Sequence, residues 1–104
     1  MTKSDIVAQC TEFGEFYIQY EYLKPKSEGG KQSRKTTYLQ GTMEFSPEQD
    51  KYVAARYKAE RIKPADKDHI LVFSRTGNVF RYIPVSKVRR VTSLQYELDK
   101  AKKF

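Results

Sequence analysis

The stretch from His69 to Pro84 constrains this chain more than any other. Ile70-Leu71-Val72-Phe73 is a short unbroken apolar run, Arg75-Thr76-Gly77-Asn78 is a turn whose Gly and Asn tolerate positive φ, and Val79-Phe80-Arg81-Tyr82-Ile83 returns as a partner strand. Pro84 then forbids continued central pairing, Val85-Ser86-Lys87 has room for a single tight turn, and Val88 to Thr92 supplies a last short strand. Residues 69–92 therefore read as a second hairpin plus a closing strand.

Upstream, Ser4 is placed to cap a short helix over 5–13, with Ile6, Val7 and Cys10 at one-turn spacing and Gly14 as the stop. Phe16, Ile18, Tyr20 and Tyr22 alternate with Gln19 and Glu21, the period of a half-buried strand. Pro25 ends that strand, Ser27-Glu28-Gly29-Gly30 is a turn, and a second strand follows over about Lys35 to Phe45, so residues 16–45 read as a first hairpin with a long basic tip. In the insert, 46–68, Ser46-Pro47-Glu48-Gln49 has the form of a helix start, and Tyr52, Ala55, Ala59 and Ile62 fall on one stripe. The same insert alternates Val53, Ala55, Tyr57 and Ala59 against Arg56, Lys58 and Glu60, which a strand would use equally well; the cap and the alanines favour helix. Residues 93–104 carry Leu94, Leu98 and Ala101 at helical spacing, as either a docked final helix or a frayed tail.

With 104 residues the chain has room for a single domain, 1–104, and not for an enzyme with a separate cofactor domain. Eight Tyr and six Phe argue against disorder despite the high charge. One cysteine excludes an internal disulfide and points to a reducing, cytoplasmic setting. Cys10 and His69 alone do not make a tetrahedral zinc site, and a Cys10–His69 nucleophilic dyad weighs less than a small buried cysteine on the first helix. Met1-Thr2-Lys3-Ser4-Asp5 lacks a signal-peptide core and no run of ten apolar residues occurs, so neither export nor membrane insertion is expected.

The formal net charge is +7, and its distribution matters more than its size. Residues 1–23 carry one Lys against four acids, whereas 24–35 hold five cations and one acid, 51–67 six and two, and 75–90 five and none. Five short strands with a one-turn helix before the fifth follow the plan of a small SH3-like or Sm-like β-barrel. The predicted fold class is accordingly α+β, a five-stranded antiparallel barrel with a short N-terminal helix and a helical insert.

The segment His-Ile-Leu-Val-Phe-Ser-Arg-Thr-Gly-Asn-Val-Phe-Arg-Tyr-Ile-Pro-Val-Ser-Lys-Val-Arg-Arg-Val, 69–91, resembles the C-terminal half of WYL-type domains. Those domains pair a hydrophobic-x-aromatic strand with a Gly-x-aromatic-Arg-x-aromatic return and close with an Arg/Lys-hydrophobic strand. Over residues 3–92 the layout is similar to the compact WYL-like, Sm-like barrels of phage and bacterial genomes, although Val72-Phe73 stands where that family carries Trp. The resemblance implies a regulatory or accessory module of phage type that engages nucleic acids or nucleotides through basic residues of the barrel.

Catalytic chemistry is not expected. Glu12 and Glu15 straddle a helix end instead of facing each other in a cleft, and Gly29-Gly30 lacks the Lys-Ser or Lys-Thr and the helix of a phosphate cradle. No metal or other cofactor is implied. If the core takes Phe80 and Tyr82, then Arg81 projects outward, and Arg75, Arg81, Lys87, Arg89 and Arg90 gather on one edge of the barrel, Arg90 on the side opposite Arg89 and Val91. Arginine suits such a surface because its planar fork grips phosphate in two places and stacks on bases. Tyr17, Tyr38 or Tyr57 would offer stacking platforms for unpaired bases, and Lys24, Lys26, Lys31, Arg34 and Lys35 would form an electrostatic arm. The expected partner is nucleic acid, single-stranded in preference to duplex. The alternative is a protein-binding inhibitor or adaptor docking on an acidic surface of a host enzyme, since Tyr and Arg also dominate protein interfaces.

Overall fold

A computed structural model describes residues 1–24 and 33–102. The expected turn at 27–30 lies outside the described residues, as do Lys26 and Lys31. Helix α1 (Lys3–Phe13) starts two residues earlier than a Ser4 cap would place it. Thr2 caps it in a reciprocal box with Asp5: the Asp5 amide donates to Thr2 Oγ1 at 3.2 Å and the Thr2 amide to Asp5 Oδ2 at 3.2 Å. Gly14, at φ 74°, ends the helix with its amide on the Cys10 carbonyl.

Five antiparallel strands follow in the order β4-β3-β2-β1-β5: β1 (Glu15–Lys24), β2 (Ser33–Thr42), β3 (His69–Ser74), β4 (Val79–Pro84) and β5 (Val88–Ser93). The strands and three helices make a small α+β fold. Among the described residues the sheet is open where a barrel is expected: β4 pairs with β3 and β5 with β1, and the two edges do not pair with each other. Pro84 has no amide to donate at the end of β4, and the 3-10 turn Val85–Lys87 carries the chain away before β5 begins.

β1 and β2 pair along ten residues, but β2 and β3 share only Gly41↔Ser74 and Thr42↔Phe73. At that junction a Cβ on Gly41 would stand 2.5 Å from Val72 Cγ1 and 2.9 Å from the Phe73 carbonyl, so the ribbons approach more closely than a side chain permits. Phe16, Ile18, Leu39, Ile70, Val72, Ile83 and Val88 then meet Ile6 and Cys10 of α1 in one buried core on the inner face. Burial pushes the Cys10 thiol up to about 12, so this cysteine is packing and not a nucleophile.

The second ribbon is covered on both faces, which the choice between an inward Phe80-Tyr82 set and an outward Arg81 does not anticipate. Ile83 enters the main core, while Phe80 packs on the opposite face against Phe73 (ring centroids 5.0 Å), Phe45 (5.9 Å) and Tyr57 (5.9 Å). The cover is helix α2 (Lys51–Ala59). Its start lies downstream of the expected Ser46 cap: Ser46 to Asp50 form a separate turn, and the Asp50 carboxylate caps α2 by accepting from the Val53 amide at 3.0 Å. Arg75, at the end of β3, bridges Glu15 of β1 (Nε–Oε1 3.1 Å) and Asp50, tying the start of α2 to both ribbons. Helix α3 (Leu94–Ala101), capped by Ser93, closes the described chain; no helix among the described residues is long and apolar enough to cross a membrane.

This packing can be tested at three places. Gly41→Ala should lower stability by about 1–3 kcal/mol through overpacking, whereas Gly77→Ala, whose Cβ would meet neighbours at 3.5 Å, should stay within about 0.5 kcal/mol in chemical denaturation. Arg75→Ala should cost about 1–2 kcal/mol, between exposed and buried pairs, because it leaves two carboxylates facing each other. The Val53 amide and then Arg75 hold the Asp50 carboxyl below the ordinary aspartate range. The stability it contributes is thus complete above the unfolded value of about 3.9 and is lost as pH falls through the lower folded value. Asp50→Asn should be less stable than the parent at neutral pH and should show a shallower loss of denaturation midpoint on acidification.

Candidate nucleic-acid interface

The cations expected to share one barrel edge are divided by the fold. Arg75 is half-buried in its ion pairs with Glu15 and Asp50 and lies over Phe73 at 5.6 Å, so it braces the fold. Arg81 shares the inner face with Val72 and Ile83 but is exposed, because β4 is the edge of the sheet. Lys87 ends the 3-10 turn, half-buried. Strand pairing does not bring Arg81 to Arg89 and Arg90, since β4 and β5 stand at opposite ends of the strand order. Lys35 is exposed opposite Tyr22, and Arg34 is placed by its backbone opposite Leu23.

Arg89 and Arg90 do not lie on opposite sides. The β1–β5 register shifts between Gln19 and Tyr20, with Gln19 opposite Arg90 and Tyr20 opposite Val88, so Arg89 is the extra residue of a β-bulge. Both side chains consequently reach the outer face of the sheet, Arg89 at Glu21 and Arg90 on one cleft with Tyr17 and Gln19. Arg89 donates from Nε to Glu21 Oε2 at 3.0 Å, and from Nη1 to the Ser86 carbonyl at 3.2 Å. Arg90 instead lies over the Tyr96 ring at 5.9 Å and borders a cleft.

That cleft, of about 340 Å³, is lined by Tyr17, Gln19, Tyr38, Arg90, Thr92, Glu97 and Lys100. Its floor follows from strand periodicity: Tyr17 stands opposite Gln40 and Thr92, and Gln19 opposite Tyr38 and Arg90, all pointing away from the core. Its wall is α3, which turns back over β5 directly after the Ser93 cap and presents Glu97 and Lys100, one turn apart, to the floor. The Thr92 hydroxyl donates to Glu97 Oε1 at 2.8 Å and fixes helix to strand. Tyr17 donates its hydroxyl to Gln40 Oε1 at 3.3 Å, while Tyr38 is 57 % exposed.

Of the expected stacking residues, Tyr17 and Tyr38 belong to this cleft; Tyr57 stacks on Phe45 at 5.3 Å and is structural. Gln19, Thr92, Glu97 and Lys100 were not singled out from sequence. The alternation of Tyr17, Gln19 and Glu21 carried a signal for the floor, but nothing local indicated that α3 would fold back over it. Among the described residues no group of three His, Cys, Asp or Glu is arranged to hold a metal ion. The arrangement combines flat aromatic surface, two cations and amide or carboxylate acceptors, the set of contacts that an aromatic ring bearing phosphate requires. No family model, no curated protein and no solved structure matches this chain.

Proposed function

We propose that the chain is a non-catalytic nucleic-acid-binding accessory protein that holds an unpaired nucleotide of a single strand in the cleft between β1, β2, β5 and α3. The observation that carries this reading is the convergence of Tyr17, Tyr38, Arg90 and Lys100 on one cleft. Tyr17 and Tyr38 are diagonal neighbours on adjacent strands, a geometry with side-chain roots about 7–8 Å apart. A flat base between them would make two contacts at about 3.5 Å each. Duplex DNA hides the base faces, so an unpaired strand is the ligand that uses this geometry. Arg90 and Lys100 take the flanking phosphates, and exposed Lys35 lies on the same β1–β2 ribbon as a source of long-range attraction.

The finer fold assignment belongs to the same proposal. The strand order, α1 before β1 and the 3-10 turn before β5 support an opened-out version of the SH3-like, Sm-like barrel. A phage-type regulatory role and a cytoplasmic setting rest on the WYL-like resemblance and the single cysteine. The second reading, docking on an acidic protein surface, is favoured by one feature: β4, an edge strand among the described residues, leaves Val79, Arg81 and Tyr82 exposed.

Fluorescence titration with labelled single-stranded RNA and DNA tests the proposal. Tyr38→Ala should weaken binding about five- to a hundredfold, the range for loss of one stacking platform. Arg90→Gln should weaken it comparably and flatten the dependence of affinity on salt, by about 0.7 in logarithmic slope for one phosphate contact. Arg81→Gln should leave affinity within about twofold and stability within about 0.5 kcal/mol, as for an exposed side chain outside the cleft. Loss of binding in Arg81→Gln with none in Arg90→Gln would move the interface to β4.

A further inference from the structure

We infer that Glu97 makes the cleft selective for guanine. This rests on the nucleotide-binding reading above and adds which base the cleft accepts. A carboxylate is an unexpected wall for a site that attracts phosphate, because it opposes the charge of Arg90 and Lys100 in the same cleft. It becomes intelligible if it faces the base and not the phosphate. As a carboxylate Glu97 only accepts hydrogen bonds, with two oxygens and about four lone-pair directions. Among the described residues its hydrogen-bond donor is the Thr92 hydroxyl, on Oε1 at 2.8 Å. That bond holds the carboxylate in place on the first turn of α3, half-buried beside the two tyrosines, and uses a fraction of its accepting capacity.

A fixed pair of acceptors selects a base that offers two adjacent donors. Guanine does so, through N1–H and the 2-amino group on its Watson–Crick edge. Adenine presents one amino group beside the N1 lone pair, cytosine one amino group beside the N3 lone pair, and uracil or thymine a single N3–H between two carbonyls. Each of those sets at least one lone pair against the carboxylate. A site built to hydrogen-bond a ligand rejects an analogue that leaves its half-buried polar group unpaired more strongly than a site built on shape alone. The cleft, near the lower end of the range of about 300–1,000 Å³ for small-ligand sites, has room for one base and its sugar, so selection falls on a single nucleotide. Gln19, on the floor, has both a donor and an acceptor and does not oppose any base.

The test uses the full chain and labelled uridine hexanucleotides carrying one guanosine, inosine, adenosine or cytidine at an internal position, followed by anisotropy. The guanosine oligonucleotide should bind about tenfold or more tightly than the adenosine, cytidine and all-uridine ones, in keeping with one bidentate base contact. Inosine, which lacks the 2-amino group, should fall between. Glu97→Gln, checked by its thermal melt, should bring all five to within about threefold of one another. The inosine comparison needs no variant and so stands even if Glu97→Gln fails to fold. The inference is overturned if the parent shows no guanosine preference, if inosine binds as well as guanosine, or if Glu97→Gln raises affinity for every oligonucleotide alike, which would make Glu97 a simple opponent of phosphate. In those cases Tyr38- and Arg90-dependent binding of the all-uridine strand would leave the nucleotide-binding reading intact. Failure of all the oligonucleotides to bind overturns both.

Discussion

The two-residue junction between β2 and β3 is the constraint on which the rest of this structure depends. Gly41 and Thr42 are the only β2 residues paired with β3 among those described, and across them the Val72 side chain and the Phe73 carbonyl come close enough to exclude a Cβ at Gly41. Further hydrogen bonds reinforce the seam: the Arg75 amide donates to the Gln40 carbonyl at 2.7 Å, and the Gln40 amide to Thr76 Oγ1 at 3.1 Å. Because the ribbons touch over so short a length, each is free to twist away from the other. Helix α1 fills the inner side of the angle, and α2 with Phe45 covers the outer side of β3–β4. Among the described residues, the outer side of β1–β2–β5 is left for α3.

This division of cover explains how a chain with so many cations sorts them. Where α2 must be fastened to the seam, Arg75 is taken up by Glu15 and Asp50, and Arg56 donates to the Asn78 carbonyl at 3.0 Å. Where the bulge widens β5, Arg89 is taken up by Glu21. These arginines hold elements together, and two of the acids that pair with them, Glu15 and Glu21, come from the otherwise acidic N-terminal segment. Arg90, one residue beyond the bulge, lies over a tyrosine ring instead, which leaves its guanidinium oriented yet accessible at the cleft. A single extra residue in one strand thus separates a structural arginine from one available to a ligand.

α3 has eight residues and buries none of them fully; Leu98 remains 47 % exposed. Such a helix gains little from burial, so its position relies on the Ser93 cap, the Thr92–Glu97 bond and contact with β5 and β1. The same residues that position it form the cleft. A ligand bridging the sheet and the helix would therefore stabilise α3 as it binds, coupling order in this segment to occupancy of the cleft.

What the sequence determined by itself is local. The alternation from Phe16 to Tyr22 separates an inner apolar set from outer Tyr17, Gln19 and Glu21, and the Thr-Gly-Asn turn and Pro84 delimit β3 and β4, because strand periodicity and turn chemistry act over a few residues. An α+β fold with a five-stranded antiparallel sheet was legible from those signals. Barrel closure was not, since it depends on whether β4 and β5 meet, a contact between edges that no local pattern encodes. Nor was the bulge at Arg89, which sets a register against β1 and overturns the alternation that would place Arg89 and Arg90 on opposite faces. The assembly of the cleft was decided by tertiary structure: Tyr17, Tyr38, Arg90 and Lys100 are spread over more than eighty residues of chain, and only strand register and the return of α3 over the outer face make them neighbours.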